Sequence, residues 1–183
     1  MKEADHPLTR LFAEMVESNF RRHLEVQDTQ VTNYIAALLW DFTHRDNVYK
    51  IRDCRGRPIE DVGEMLIESN PMLEAPHFER EREVRKHVGD FTLFFSGMFP
   101  ESIGNWRLRR LQVGSFVDYI RAGKESYHIV AAFNQFEYKK VAPLFRKLGD
   151  SFEECVYGLN LVRRQLDVQG DPEYSRVKEI ITS

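Results

Sequence analysis

Apolar side chains recur at intervals of three and four residues along most of this chain, and this spacing limits its fold more than any other feature. Residues three and four apart lie on one face of an α-helix, whereas a strand places every second residue on one face. The clearest apolar stripe is formed by Val31, Tyr34, Ile35, Leu38, Leu39 and Phe42. It predicts an amphipathic helix that Asp28 or Thr29 caps and that carries Trp40 on the opposite side.

Similar spacing predicts further helices. Single Gly and Pro residues separate them, and the chain contains no repeat and no flexible linker. The predicted segments are Pro7 to about Leu24, Glu60 to Ser69, Pro76 to Met98, a helix from Ser115, Asp150 to Asp167, and a last helix opened by Asp171 and Pro172. Gly123 either ends the helix from Ser115 or lies inside one that continues to about Phe133. The pattern predicts an all-α fold, a compact bundle of six to eight helices, with residues 1–183 forming a single domain.

The segment 47–59 departs from the helical pattern. Its first residues include Val, Tyr and Ile, and a turn-like sequence from Asp53 to Gly56 follows. Pro58 would interrupt a helix because it lacks a backbone N–H group. We therefore expect a short β-hairpin or an irregular excursion here.

Charge and cysteine content restrict the partners and the compartment. The net charge is −3, with 26 Lys and Arg against 29 Asp and Glu, which gives no overall attraction to nucleic acid or acidic lipid. Cys54 and Cys155 are far apart and lack the spacing of a metal site, which favours a reducing compartment. No signal-peptide core is evident, and the longest apolar run is too short to span a bilayer. We expect a cytoplasmic protein without a membrane partner.

Two groups of carboxylate and imidazole side chains resemble metal ligands. Glu125 and His128 have the Glu-x-x-His spacing of di-iron and di-manganese helical bundles, and Glu83 and His87 are four residues apart. At about 100° per residue, however, His87 lies near the margin of its apolar stripe and Glu83 farther out. Glu125 faces away from the core if its helix is continuous. We therefore expect that the acidic side chains near both histidines face water, including Asp90, which lies one turn beyond His87. On this interpretation the protein holds no cofactor. The alternative is a site for Fe or Mn.

A basic patch offers a nucleic-acid alternative. Trp106, Arg107, Arg109 and Arg110 combine an aromatic ring with guanidinium groups, which suits phosphate contact and base stacking. No helix-turn-helix or RNA-binding signature accompanies them, so a nucleic-acid partner is not favoured.

Three apolar side chains lie across their helices from the predicted core stripes. They are Trp40 on the second helix and Tyr157 and Leu161 on the helix from Asp150. Exposed aromatic residues often anchor interfaces, although helices buried on two sides would explain them equally well. We expect a non-catalytic helical interaction or regulatory module that binds protein and forms a homodimer. The alternatives are a metal-dependent helical-bundle enzyme and a nucleic-acid-binding protein.

Overall fold

The computed structural model describes residues 6–69, 78–103 and 116–183, and this part of the chain is all-α. Its nine helices, with no strand among the described residues, confirm the predicted fold class. The helices are α1 (Pro7–His23), α2 (Thr29–Asp41), α3 (Arg45–Val48), α4 (Val62–Glu68), α5 (Phe78–Met98), α6 (Phe116–Ala132), α7 (Ala142–Asp150), α8 (Phe152–Gln169) and α9 (Pro172–Thr182). Two short 3-10 helices, Pro100–Ser102 and Phe136–Lys140, lie between them. None of the described helices combines the length and apolarity that crossing a bilayer requires.

Helix α5 runs through the middle of the bundle. Every residue from His87 to Met98 is buried, so this half of the helix has no solvent face. It packs mainly against α6 and α8, and also against α4 and α2. A helix buried on all sides encloses its polar residues together with its apolar ones, and the enclosed polar residues here include Asp90, Thr92 and Ser96.

The helix ends follow the capping residues in the sequence. The Asp28 side chain accepts a hydrogen bond from the backbone of Gln30 and so caps α2, as predicted. Asp171 caps α9 in the same way, with Pro172 in the first turn. Gly170, with φ 65°, adopts the left-handed conformation that ends α8. The last two long helices are therefore separated by a defined turn.

The segment 47–59 forms a narrow hairpin-like turn held by a single antiparallel bridge between Arg52 and Pro58. The backbone N–H of Ile59 donates to the Ile51 carbonyl at 2.8 Å, and that of Asp53 donates to the Arg57 carbonyl at 2.9 Å. Ile51 and Ile59 are buried and fix the base of the turn in the core. The first two residues of the segment belong instead to α3.

Glycines lie where the central helices approach most closely. A Cβ atom at Gly123 would be 2.3 Å from both Thr92 Oγ1 and Phe152 Cζ. One at Gly97 would be 2.4 Å from Leu159 Cβ on α8. Gly123 therefore lies inside a continuous α6, because its missing side chain makes room for α5 and α8.

Replacing Gly123 with Ala tests this close packing. Alanine favours a helix by about 1 kcal/mol over glycine, so propensity alone predicts a more stable protein. We expect the opposite, a free energy of unfolding lower by about 2 kcal/mol, because Thr92 and Phe152 must move. Urea denaturation followed by circular dichroism measures the change. The exposed Glu125→Ala variant on the same helix is the control, and a stabilised Gly123→Ala protein would contradict the prediction.

Candidate functional site

Asp90 accepts hydrogen bonds from three side chains inside the bundle. Its Oδ1 accepts from the Tyr34 hydroxyl at 2.6 Å and from the Tyr127 hydroxyl at 2.8 Å. Its Oδ2 accepts from Lys86 Nζ at 2.7 Å, one turn earlier on α5. The expectation that acidic side chains near the histidines face water is wrong for Asp90, whose side chain is only 4% exposed. It is wrong because α5 is buried on all sides at this level, whereas the prediction assumed a single buried stripe.

The electrostatics of this cluster keep both tyrosines protonated. Burial, reinforced by the Asp90 carboxylate, raises the pKa of Tyr34 and of Tyr127 well above the ordinary tyrosine value. Both hydroxyl groups therefore donate to the carboxylate at neutral pH. Lys86 supplies the compensating charge that a buried carboxylate requires. With both oxygens of Asp90 already accepting, the cluster joins α2, α5 and α6 and does not present a free catalytic group.

His87 lies in an aromatic environment and is fully buried. Its Nε2 donates to the Val48 carbonyl at 3.0 Å, since that oxygen can only accept. The rings of Phe42 and Phe91 lie 5.8 and 6.0 Å from its own. Burial, together with the positive charge of Lys50, lowers the pKa of His87 to about 4. The imidazole is therefore neutral at pH 7, and its Nδ1 has no hydrogen-bond partner within the described residues.

The other predicted metal ligands lie in different environments from His87. Glu83 is exposed and pairs with Arg80 at 3.5 Å. Glu125 is exposed on α6, and the nearby His128 contacts Asp150 through Nε2 at 2.8 Å. Among residues 6–69, 78–103 and 116–183, no three His, Cys, Asp or Glu side chains are grouped closely enough to hold a metal ion.

Glu125 and His128 share a shallow groove on the outer face of α6. The groove has a volume of about 480 Å³ and is lined by Arg121, Lys124, Glu125, His128, Ile129 and Ala132. A histidine held by a carboxylate is the arrangement that orients a general base. However, no lining residue carries a hydroxyl or thiol that such a base could activate. The His128–Asp150 contact is best explained as a surface hydrogen bond between α6 and α7.

The nucleic-acid candidates Trp106, Arg107, Arg109 and Arg110 lie outside the described residues.

Among the interface candidates, Trp40 is already covered by the chain itself. It is half-buried and packs against the hydrophobic core. The rings of His6 and His44 lie 4.7 and 5.5 Å from its ring. Contacts within the chain therefore explain why Trp40, an apolar residue, lies on the face of α2 opposite the core stripe.

Tyr157 and Leu161 belong to a stripe along the outer face of α8. Tyr157 is 52% exposed, and Leu161 is half-buried. The full outer stripe comprises Glu154, Tyr157, Leu161, Arg164 and Val168, none of which is buried. The opposite, inner face of α8 is buried in the core through Phe152, Cys155, Val156, Leu159, Val162 and Leu166. Helix α8 therefore has apolar side chains on two faces, and the described residues cover only the inner one.

The spacing of the outer stripe is that of a helix–helix seam. Its members follow one another at intervals of three, four, three and four residues, the alternation found in coiled coils. Val168, 88% exposed, was missed by the sequence analysis. Its position seven residues after Leu161 was the available signal, because residues seven apart return to the same helix face.

The chain matches no protein-family model, no curated protein and no solved structure. The functional inference therefore depends on the geometry of these residues.

Removing the Asp90 carboxylate should destabilise the protein strongly. Asp90→Ala leaves Lys86 and two buried hydroxyl groups without their acceptor, and we expect a loss of about 3 kcal/mol in the free energy of unfolding. Tyr34→Phe removes one donor and should cost about 1 kcal/mol. Urea denaturation measures both. The exposed Glu83→Ala variant on the same helix is the control, and equal effects of Asp90→Ala and Glu83→Ala would show that the cluster is dispensable.

The buried neutral imidazole predicts acid sensitivity. Because folding lowers the pKa of His87 from 6.5 to about 4, the folded state resists protonation. The stabilisation from His87 is fully present above pH 6.5 and is lost as the pH falls toward 4, by about 3 kcal/mol in total.

The free energy of unfolding, measured by urea denaturation across this pH range, should fall less steeply in His87→Phe than in the wild type. Val88→Ala, which removes buried side-chain volume from the same helix without changing a titratable group, should retain the wild-type slope. A His87→Phe protein with an unchanged slope would contradict the assignment.

Proposed function

We propose that this protein is a non-catalytic interaction module that binds another protein through the outer stripe of α8. The observation that supports this most directly is the alignment of Tyr157 and Val168, 52% and 88% exposed, with Leu161 between them. Burial of such apolar surface is favourable by roughly 25 cal/mol per Å². Tyrosine is also enriched among the residues that dominate binding energy at interfaces.

The stripe is presented on a rigid support. The inner face of α8 packs in the core against α5 and α1. A Cβ atom at Gly158 would be 2.4 Å from Phe20 Cε2, so α8 and α1 approach closely. A binding surface that is already ordered loses little conformational entropy when a partner docks. A seam of two heptads on such a helix is suited to another helix as its partner.

The internal polar groups support a binding role over a catalytic one. Asp90 uses both oxygens for contacts within the bundle, and His87 is neutral and enclosed by aromatic rings. Burial raises the pKa of the Cys155 thiol to about 12, so this cysteine is unreactive at neutral pH. None of these three side chains lines the groove on α6 or the two smaller grooves beside Lys147 and Lys178.

A cytoplasmic location forms part of the proposal. Cys54 is exposed and Cys155 is buried, and both are free thiols. An exposed free cysteine is compatible with a compartment in which thiols stay reduced.

Photo-crosslinking in living cells tests the binding surface. A benzophenone side chain in place of Tyr157 should give a covalent adduct with a protein partner, because this position lies on the stripe and is exposed. The same probe at the exposed Arg146 on α7 is the control and should give no adduct. The mass of the adduct identifies the partner as a second copy of the chain or as another protein. Equal labelling at positions 157 and 146, or none at either, would refute the proposal.

A further inference from the structure

We propose that the partner of the outer stripe is a second copy of this chain, whose α8 packs antiparallel to the first. The inference rests on the proposed function, because it assumes that the outer stripe binds protein. Its basis is the order of charges along the stripe. The acidic Glu154 lies near the start of α8, the apolar Tyr157 and Leu161 lie in the middle, and the basic Arg164 follows. When a second copy of the helix lies alongside in the opposite direction, its basic residue is therefore next to the acidic residue of the first.

Among the charged residues of α8, the two on the stripe are the ones without a partner in the described part of the chain. Glu154 and Arg164 are exposed, and neither side chain makes an ion pair or hydrogen bond within the described residues. Their immediate neighbours are both paired within the chain. Glu153 binds Lys124 at 2.8 Å, and Arg163 binds Glu101 at 2.8 Å. The unpaired charges of α8 are therefore at seam positions, where a docked helix would contact them.

Antiparallel pairing about residue 159 satisfies both charges at once. A two-fold axis at this position places Glu154 opposite the partner's Arg164 and Tyr157 opposite the partner's Leu161. Each contact then occurs twice, as in every interface between identical surfaces. Val168 falls opposite the partner's Asp150, the last residue of α7, and so lies outside the apolar centre. Two ion pairs thus flank an apolar centre in which two tyrosine rings cover two leucine side chains.

Other arrangements of the same two helices bring like charges together. Parallel pairing places Glu154 against the partner's Glu154 and Arg164 against the partner's Arg164. An antiparallel pairing shifted along the seam places Tyr157 opposite the partner's Val168, but it brings Glu154 near the partner's Asp171, the cap of α9. Charged residues at seam positions specify orientation and register at some cost in stability. Here they select the antiparallel pairing centred on residue 159.

Exchanging the charges gives a test that separates these arrangements. In the proposed dimer, Glu154→Arg brings an arginine against the partner's Arg164, and Arg164→Glu brings a glutamate against the partner's Glu154. Each repulsive contact occurs twice. Analytical ultracentrifugation over a range of protein concentrations should show twice the monomer mass for the wild type. Each single variant should associate at least about tenfold more weakly. An equimolar mixture of the two variants should recover wild-type association, because every Arg then faces a Glu.

The control is Arg146→Glu, which makes the same charge change on α7 and should associate like the wild type. Circular dichroism checks that each variant is folded, which we expect because both positions are exposed. Failure of the mixture to recover association would overturn the antiparallel pairing. Unchanged association of Glu154→Arg would overturn the proposed register in favour of parallel pairing, and stronger association would favour the shifted antiparallel register.

A monomeric wild type would overturn the inference as a whole. If position 157 then crosslinks to a different protein, the proposed interaction module stands and only the identity of the partner is wrong. If position 157 gives no adduct either, both the inference and the proposed function fail.

Discussion

The buried carboxylate of Asp90 is the constraint around which the rest of the bundle is arranged. Because α5 runs through the interior, a negative charge at this position has no access to bulk water and depends on donors from the chain. Tyr34 from α2 and Tyr127 from α6 supply them, together with Lys86 on α5 itself. The positions of α2 and α6 relative to α5 are therefore fixed by hydrogen-bond geometry as well as by hydrophobic packing, which is less directional.

The apolar side chains on the outer face of α8 are not needed to complete the hydrophobic core. The inner face of this helix already completes the core against α5 and α1. Tyr157 and Val168 remain largely exposed within the described part of the chain, yet they follow the heptad spacing of the outer stripe. Exposed apolar side chains scattered singly need no explanation, whereas the regular spacing of those on α8 is the basis of the proposed interaction.

The sequence allowed prediction of features that are local to one helix. The stripe of α2 and the caps Asp28 and Asp171 could be read from spacing and residue type, because their physics involves only a few neighbouring residues. The continuity of α6 through Gly123 could not, since it depends on Thr92 and Phe152, which only the tertiary fold brings near. Asp90 was misjudged for the same reason: a helical wheel shows which face of a helix is more apolar, but not how many faces are covered. Tyr157 and Leu161 could be placed on the outer face because the wheel shows that face, and their role in an interface stays a prediction.

The contact between Gly97 and Leu159 has a consequence for how such a module could work. Leu159 lies between Tyr157 and Leu161 in the chain but points inward, against the backbone of the central helix. With backbone and side chain in direct contact there, α8 has no clearance to slide or rotate when its outer face is occupied. If the proposed interaction holds, this packing favours action by occupancy, with the module holding its partner in place or keeping a competitor away, over a signal relayed through a change of shape.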